Sequence, residues 1–152
     1  MTRILVLVMA LAFAAPSVWA GEVKGLIVKK SPYTATKTIN RLKKILRSKG
    51  ITIVKHWSHS RGGKKVGIPL RPTELLIFGN PKMGTHFFTS KQTAGIDLPM
   101  KALAWKDEKG QVWLAYNDPQ YIADRHGIDD RDNIVKKMTG ALDKMTSKAV
   151  AK

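Results

Sequence analysis

A four-residue apolar run, Leu75-Leu76-Ile77-Phe78, is fenced by Arg71-Pro72-Thr73 on one side and Gly79-Asn80-Pro81 on the other, and it restricts the fold more than any other part of the sequence. Proline on both flanks holds the run to strand length, and four consecutive apolar side chains leave neither face for water. The expectation is a central strand over 74–78, covered on both faces and closed by a turn at 79–81. Such a strand needs paired neighbours, and the rest of the chain must supply them.

The neighbours are legible as period-two or β-branched stretches at 23–29, 51–57, 102–105 and 111–116. The last two are joined by Asp107-Glu108-Lys109-Gly110, a hairpin connection whose glycine can take the left-handed position. Between the first two strands, Thr34 precedes the helical period Ala35, Ile39, Leu42, Leu46 and reads as an N-cap, with Gly50 ending the helix. Asp118-Pro119, an N-cap followed by proline at the first helical position, opens a short helix that Gly127 ends. A last helix starts near 129–132 and carries Ile134, Val135, Met138, Ala141, Leu142 and Met145 on one face. Residues 82–97 show no period and read as a long irregular stretch. The segment 59–67, centred on Arg61-Gly62-Gly63-Lys64-Lys65, reads as a loop or weak short helix, because each glycine costs about 1 kcal/mol in a helix interior. The element order implies an α+β single domain over 21–152, mainly antiparallel, with helices on one face of the sheet. The hairpin breaks the strand-helix alternation of a doubly wound nucleotide fold.

Arg3, an apolar run at 4–15, Pro16-Ser17 and the small-residue ending Val18-Trp19-Ala20 have the form of a secretory signal with cleavage after Ala20. The run is too short for a membrane span, and no second one follows. The expected product is exported, periplasmic or secreted. It contains no cysteine, which excludes disulfides, thiolate metal sites and covalent haem attachment.

Charge narrows the partners. The chain has 27 Lys+Arg against 11 Asp+Glu, a formal charge of +16. Residues 21–95 hold 16 basic and 2 acidic residues, whereas 96–152 hold 10 and 9. One face beside the first helix is therefore expected to be positive, with Lys37, Arg41 and Lys44 as a basic stripe and Lys137, Lys144 and Lys148 as another. In a cytoplasmic protein this charge suggests nucleic acid. Export argues against that partner and leaves an anionic lipid surface, a polyanion or a small anionic ligand.

Few residues carry chemistry. His56 and His59 sit three apart, which on a strand puts them on opposite faces, so they meet at a metal only where the chain bends. The Arg61-to-Lys65 loop lacks the spacing of a nucleotide-phosphate cradle. Met83, His86 and Met100 are soft or borderline ligands that read equally well as core or loop residues. Asp97, inside the irregular stretch, has no capping role and is a candidate to orient a histidine or accept an arginine. Asp118 and His126 are explained by capping and by a helix C-terminus. No nucleophile elbow or HExxH is present.

The stretch Arg71-Pro72-Thr73-Glu74-Leu75-Leu76-Ile77-Phe78-Gly79-Asn80-Pro81-Lys82-Met83-Gly84-Thr85 resembles the domain of unknown function 302 family. So do Ala94-Gly95-Ile96-Asp97-Leu98-Pro99-Met100-Lys101 and Val112-Trp113-Leu114-Ala115-Tyr116-Asn117-Asp118-Pro119. The resemblance implies a β-α-β(4)-α domain, like one half of the TATA-binding-protein fold and often self-associating. The family's recurring histidine falls on His59, its strand-end turn on Gly79, Asn80 and Pro81, and its acidic residue on Asp97. Ser58 and Arg61-Gly62-Gly63 stand where that family commonly has an aspartate and helix formers, which weakens a helix start there. The leading expectation is a module binding a small anionic ligand in one groove formed by His59, Arg71, Gly79, Asn80, Pro81, Lys82 and Asp97. Two others stay open, a haem- or metal-binding protein using His59 with His126, His86 or a methionine, and a hydrolase-like enzyme with His59 as base and Asp97 as its orienting residue. Cofactor identity and self-association stay open as well.

Overall fold

In the computed structural model residues 23–152 are described; the signal-like segment and its cleavage point lie outside them. Strand β1 (Leu26–Ser31) leads through Thr34, whose hydroxyl accepts from the Lys37 amide, into helix α1 (Ala35–Ser48). Gly50, at φ 68°, turns the chain into β2 (Thr52–Ser58). Helix α2 (His59–Lys65) follows directly, then β3 (Thr73–Gly79), α3 (Pro81–Ser90) and a short 3₁₀ helix (Gln92–Ile96). The hairpin β4 (Met100–Lys106) and β5 (Val112–Asn117) precedes α4 (Pro119–His126) and α5 (Asp132–Val150).

The strands form one sheet in the order β1-β5-β4-β3-β2, with every pair antiparallel. Buried residues of β3, β4 and β5 (Leu76, Phe78, Ala102, Ala104, Leu114, Tyr116) join Ile39, Leu42 and Leu46 of α1 and Val135, Leu142 and Ala149 of α5 in a single core. This is the expected α+β domain with its helices on one face. Arg41 does not belong to a free basic stripe. Its guanidinium donates to the Ala149 and Ala151 carbonyls at 2.7 and 2.8 Å and stacks 4.4 Å from the Tyr33 ring, so it closes the C-terminus of α5.

The structure corrects three expectations, one of them the irregular stretch at 82–97, most of which is α3 and the 3₁₀ helix, and of the two alternatives at 59–67 it shows the short helix. Strand β3 is interior but not covered twice. Its burial alternates, with Glu74, Leu76 and Phe78 under the helices and Leu75 and Ile77 only half-buried on the other face. The supposed turn Gly79-Asn80-Pro81 begins a helix, since Asn80 caps α3 by accepting from the Lys82 amide at 3.0 Å and Pro81 stands in its first turn. Helix α2 forms despite its two glycines. Ser58 is a competent N-cap, accepting from the Arg61 amide, and Gly63 is needed for space because a Cβ there would collide with the Ile68 carbonyl and the Leu70 side chain.

Candidate functional site

Strand β3 ends at Gly79, α3 begins directly after the Asn80 cap, and α5 contributes the facing residues. They enclose a cleft of about 550 Å³ whose walls include Phe78, Met83, Met100, Met138, Leu142 and Met145, with Asn80 at the strand end. Lys49, Lys137 and Lys144, all exposed, also line it, and among the described residues no carboxylate does. A second hollow of about 280 Å³ shares Gly79, Asn80, Met83, Met100 and Met138 and extends past Pro81 to Phe88 and Pro99. Gly79 sits in close approach, since a Cβ there would stand 3.3 Å from Cβ of Pro99, a tight contact. The two sequence motifs around Gly79 and Pro99 thus meet in the lining of the second hollow.

The expected single groove is not assembled. Ser58 pairs with Glu74 at one end of the β2-β3 ladder and Thr52 with Gly79 at the other, which separates the ends by about 17 Å at roughly 3.4 Å per residue. His59 and Arg71, both exposed, stand at the first end. Gly79, Asn80, Pro81 and exposed Lys82 stand at the second, with Gly79, Asn80 and Pro81 lining the cleft system. Asp97 is also at the second end, before β4, and both its oxygens are taken. His126 Nε2 lies 2.7 Å from Oδ2 and Arg125 donates to Oδ1 at 3.2 Å. Nδ1 of His126 lies 3.0 Å from the Thr93 hydroxyl. Asp97 therefore orients a histidine and accepts an arginine, but the histidine is His126. This removes the pairing of His59 as base with Asp97, and it removes metal ligation by His59 together with His126 or with His86 of α3.

Two other polar clusters hold the fold rather than the cleft. Buried Glu74 accepts from His56 Nε2 at 2.9 Å and from the Thr36 hydroxyl at 3.4 Å, tying the edge strand β2 to α1. Asp107 accepts the Trp113 indole N–H at 2.7 Å and the Gln111 amide at 2.8 Å; the indole bond holds its carboxyl below the ordinary aspartate value. Among the described residues no group of three His, Asp or Glu side chains is placed to hold a metal.

Sequence reasoning missed the cleft because its walls come from β3, α3, β4 and α5, with no shared period. One compositional signal was present. Beyond Met9 the sequence has only four methionines, Met83, Met100, Met138 and Met145, and all four line this cleft. Two of the three lysines expected to form a stripe on the last helix, Lys137 and Lys144, line it too.

Comparison with known proteins agrees with this architecture. A solved protein from Bacillus stearothermophilus, described as an uncharacterized conserved protein DUF302, superposes with a TM-score of 0.67 at 16% identity, covering 84% of this chain and 97% of that one. The fluoride-specific ion channel FluC 1 of Brucella suis is 43% identical over 104 residues, which is 68% of this chain and 41% of that protein. The FluC 1 protein of Brucella abortus matches at the same identity over 38% of its length. The chain thus spans about two fifths of these relatives. The profile of the domain of unknown function DUF302 matches residues 27–145. With that match and the shared fold, the chain belongs to the DUF302 family.

Proposed function

We propose that the domain binds a small amphipathic anion, an apolar body carrying one anionic head group, in the methionine-lined cleft. The observation that carries this reading is the pairing of walls and rim. The walls hold four flexible thioether side chains, which adapt to varied apolar shapes, and the charged residues lining the cleft are three exposed lysines with no carboxylate among the described lining. Asn80 offers an oriented polar contact at the strand end. The signal-like start supports a working place outside the cytoplasm, where such a module would meet its ligand in solution. The fluoride-channel relatives suggest a halide as an alternative occupant. A bare, strongly hydrated halide would find few donors to replace its water in a wall of thioethers, so the cleft favours the amphipathic ligand.

Dodecanoate is a suitable probe, with dodecanol and dodecyltrimethylammonium as uncharged and cationic controls. Ligand at a hundred times its dissociation constant stabilises by about 2.7 kcal/mol, readily seen as a shift in thermal midpoint. Dodecanoate should raise the midpoint well beyond either control. Ala141→Phe, at an exposed position lining the cleft, should abolish the shift, and the Lys137→Gln/Lys144→Gln pair should weaken binding roughly tenfold. Equal shifts with dodecanol, or an unaffected Ala141→Phe variant, would overturn the reading.

A further inference from the structure

At the other end of the sheet the chain presents an ordered, outward-facing apolar tip. Helix α2 ends in a left-handed Gly67, at φ 75°, with the Ile68 amide donating to the Gly63 carbonyl at 2.9 Å and the Gly67 amide to Lys64 at 3.3 Å. This closure usually seats the side chain after the glycine against the residue five positions back. Here that residue is Gly63, which has no side chain to offer. Ile68 is left 61% exposed, beside Val66 at 70% and Leu70 at 50%. Trp57, the penultimate residue of β2, is 50% exposed at the same end. A backbone that is hydrogen-bonded in place while its aliphatic side chains point outward is not a collapsed loop.

Charge identifies what covers the tip. Arg61, Lys64, Lys65 and Arg71, all exposed, flank it. The sequence has no Asp or Glu between Glu22 and Glu74, and Glu74 is buried against His56. The nearby hairpin adds Asp107, already engaged by Trp113 and Gln111, and Glu108, which stands between Lys106 and Lys109. An isologous pair of copies through this tip would set the same cations face to face. A surface that is apolar at its centre and anionic in its head groups satisfies both features at once.

We propose that the 66–70 tip docks the protein peripherally on an anionic phospholipid bilayer, with Val66 and Ile68 entering the interface and Arg61, Lys64, Lys65 and Arg71 facing the phosphates. No helix among the described residues is long and apolar enough to cross a membrane, so the contact is an attachment from one side.

The test is co-sedimentation of residues 21–152 with phosphatidylcholine vesicles containing a phosphatidylglycerol minority, against pure phosphatidylcholine. Binding should require phosphatidylglycerol and weaken with salt. Val66→Ser/Ile68→Ser, at two exposed loop positions, should lower the partition coefficient roughly tenfold while leaving the thermal midpoint unchanged. Lys64→Gln/Lys65→Gln should lower it comparably. Three outcomes overturn the proposal: no sedimentation with anionic vesicles, binding that loses its charge dependence, or binding insensitive to Val66→Ser/Ile68→Ser. A dimer in solution that the Val66→Ser/Ile68→Ser variant dissociates, without vesicle binding, would assign the tip to a second copy instead.

Discussion

Replacing Asp97 with alanine tests its role as a structural clamp. Asp97 joins the segment after α3 to the end of α4 through His126 and Arg125. The two contacts differ in value. The His126 side chain is 8% exposed and that of Asp97 12%, so their 2.7 Å bond is shielded, and a hydrogen bond to an ionised partner contributes about 1.5–3 kcal/mol. Arg125 is 51% exposed, and solvent screening leaves its contribution below about 1 kcal/mol. Asp97→Ala should therefore cost about 2–3 kcal/mol. For a domain of this size that is a fall of roughly 10 °C in thermal midpoint. Arg125→Ala should cost under about 1 kcal/mol, and Asp97→Asn, whose amide oxygen still accepts from His126, should fall between the two. Urea denaturation of the three variants at neutral pH measures these differences directly. If Arg125→Ala destabilises as much as Asp97→Ala, or if Asp97→Ala costs less than about 0.5 kcal/mol, the clamp as described is wrong.

Other contacts give equally direct expectations. Gly25→Ala should destabilise by about 2–4 kcal/mol, because Gly25 has φ 80° and an added Cβ would run into the Tyr121 ring; a thermal melt reads this. Arg41→Ala should cost about 1.5–2 kcal/mol by releasing the last carbonyls of α5, and hydrogen exchange should quicken at residues 147–151. Asp107 has its folded pKa depressed below 3.8 by the Trp113 indole, so its stabilisation is full above that value and is lost as pH falls through the folded pKa. Asp107→Asn should accordingly flatten the acid limb of the stability curve below about pH 4, measured by denaturant titration at several pH values.

Local signals in the sequence were sufficient where the physics is local. Thr34 and Gly50 bound α1 because capping involves backbone groups within a few residues, and Asp118-Pro119 opens α4 for the same reason. The Asn80-Pro81 pair carries the same cap chemistry, but the residues after it hid the helix. Of Met83, Phe87 and Phe88 only Phe87 is buried, so α3 shows no apolar period. The β3 run was readable as a strand, but its four apolar residues concealed that one face lacks a covering layer. The Asp97–His126 pair is separated by 29 residues and the cleft by four elements, and no local rule links such positions. The expected groove joined residues from opposite ends of one strand, because proximity in sequence to the 71–81 motif was read as proximity in space.

The pairing of β1 with β5 also sets an order in time. Leu26 faces Asn117 and Ser31 faces Val112, Lys29 reaches Asp143 of α5 at 2.6 Å, and Arg41 closes the end of that helix. The first strand and helix thus have main partners in β5 and α5, the last elements of the domain. A ribosome releasing this sequence from its N-terminus delivers β1 and α1 long before anything exists for them to pair with, and contacts this distant in sequence form late and slowly. The nascent domain therefore has no finished sheet until β5 and α5 have been made, and a chain cut short of α5 loses the beginning of the fold along with its end.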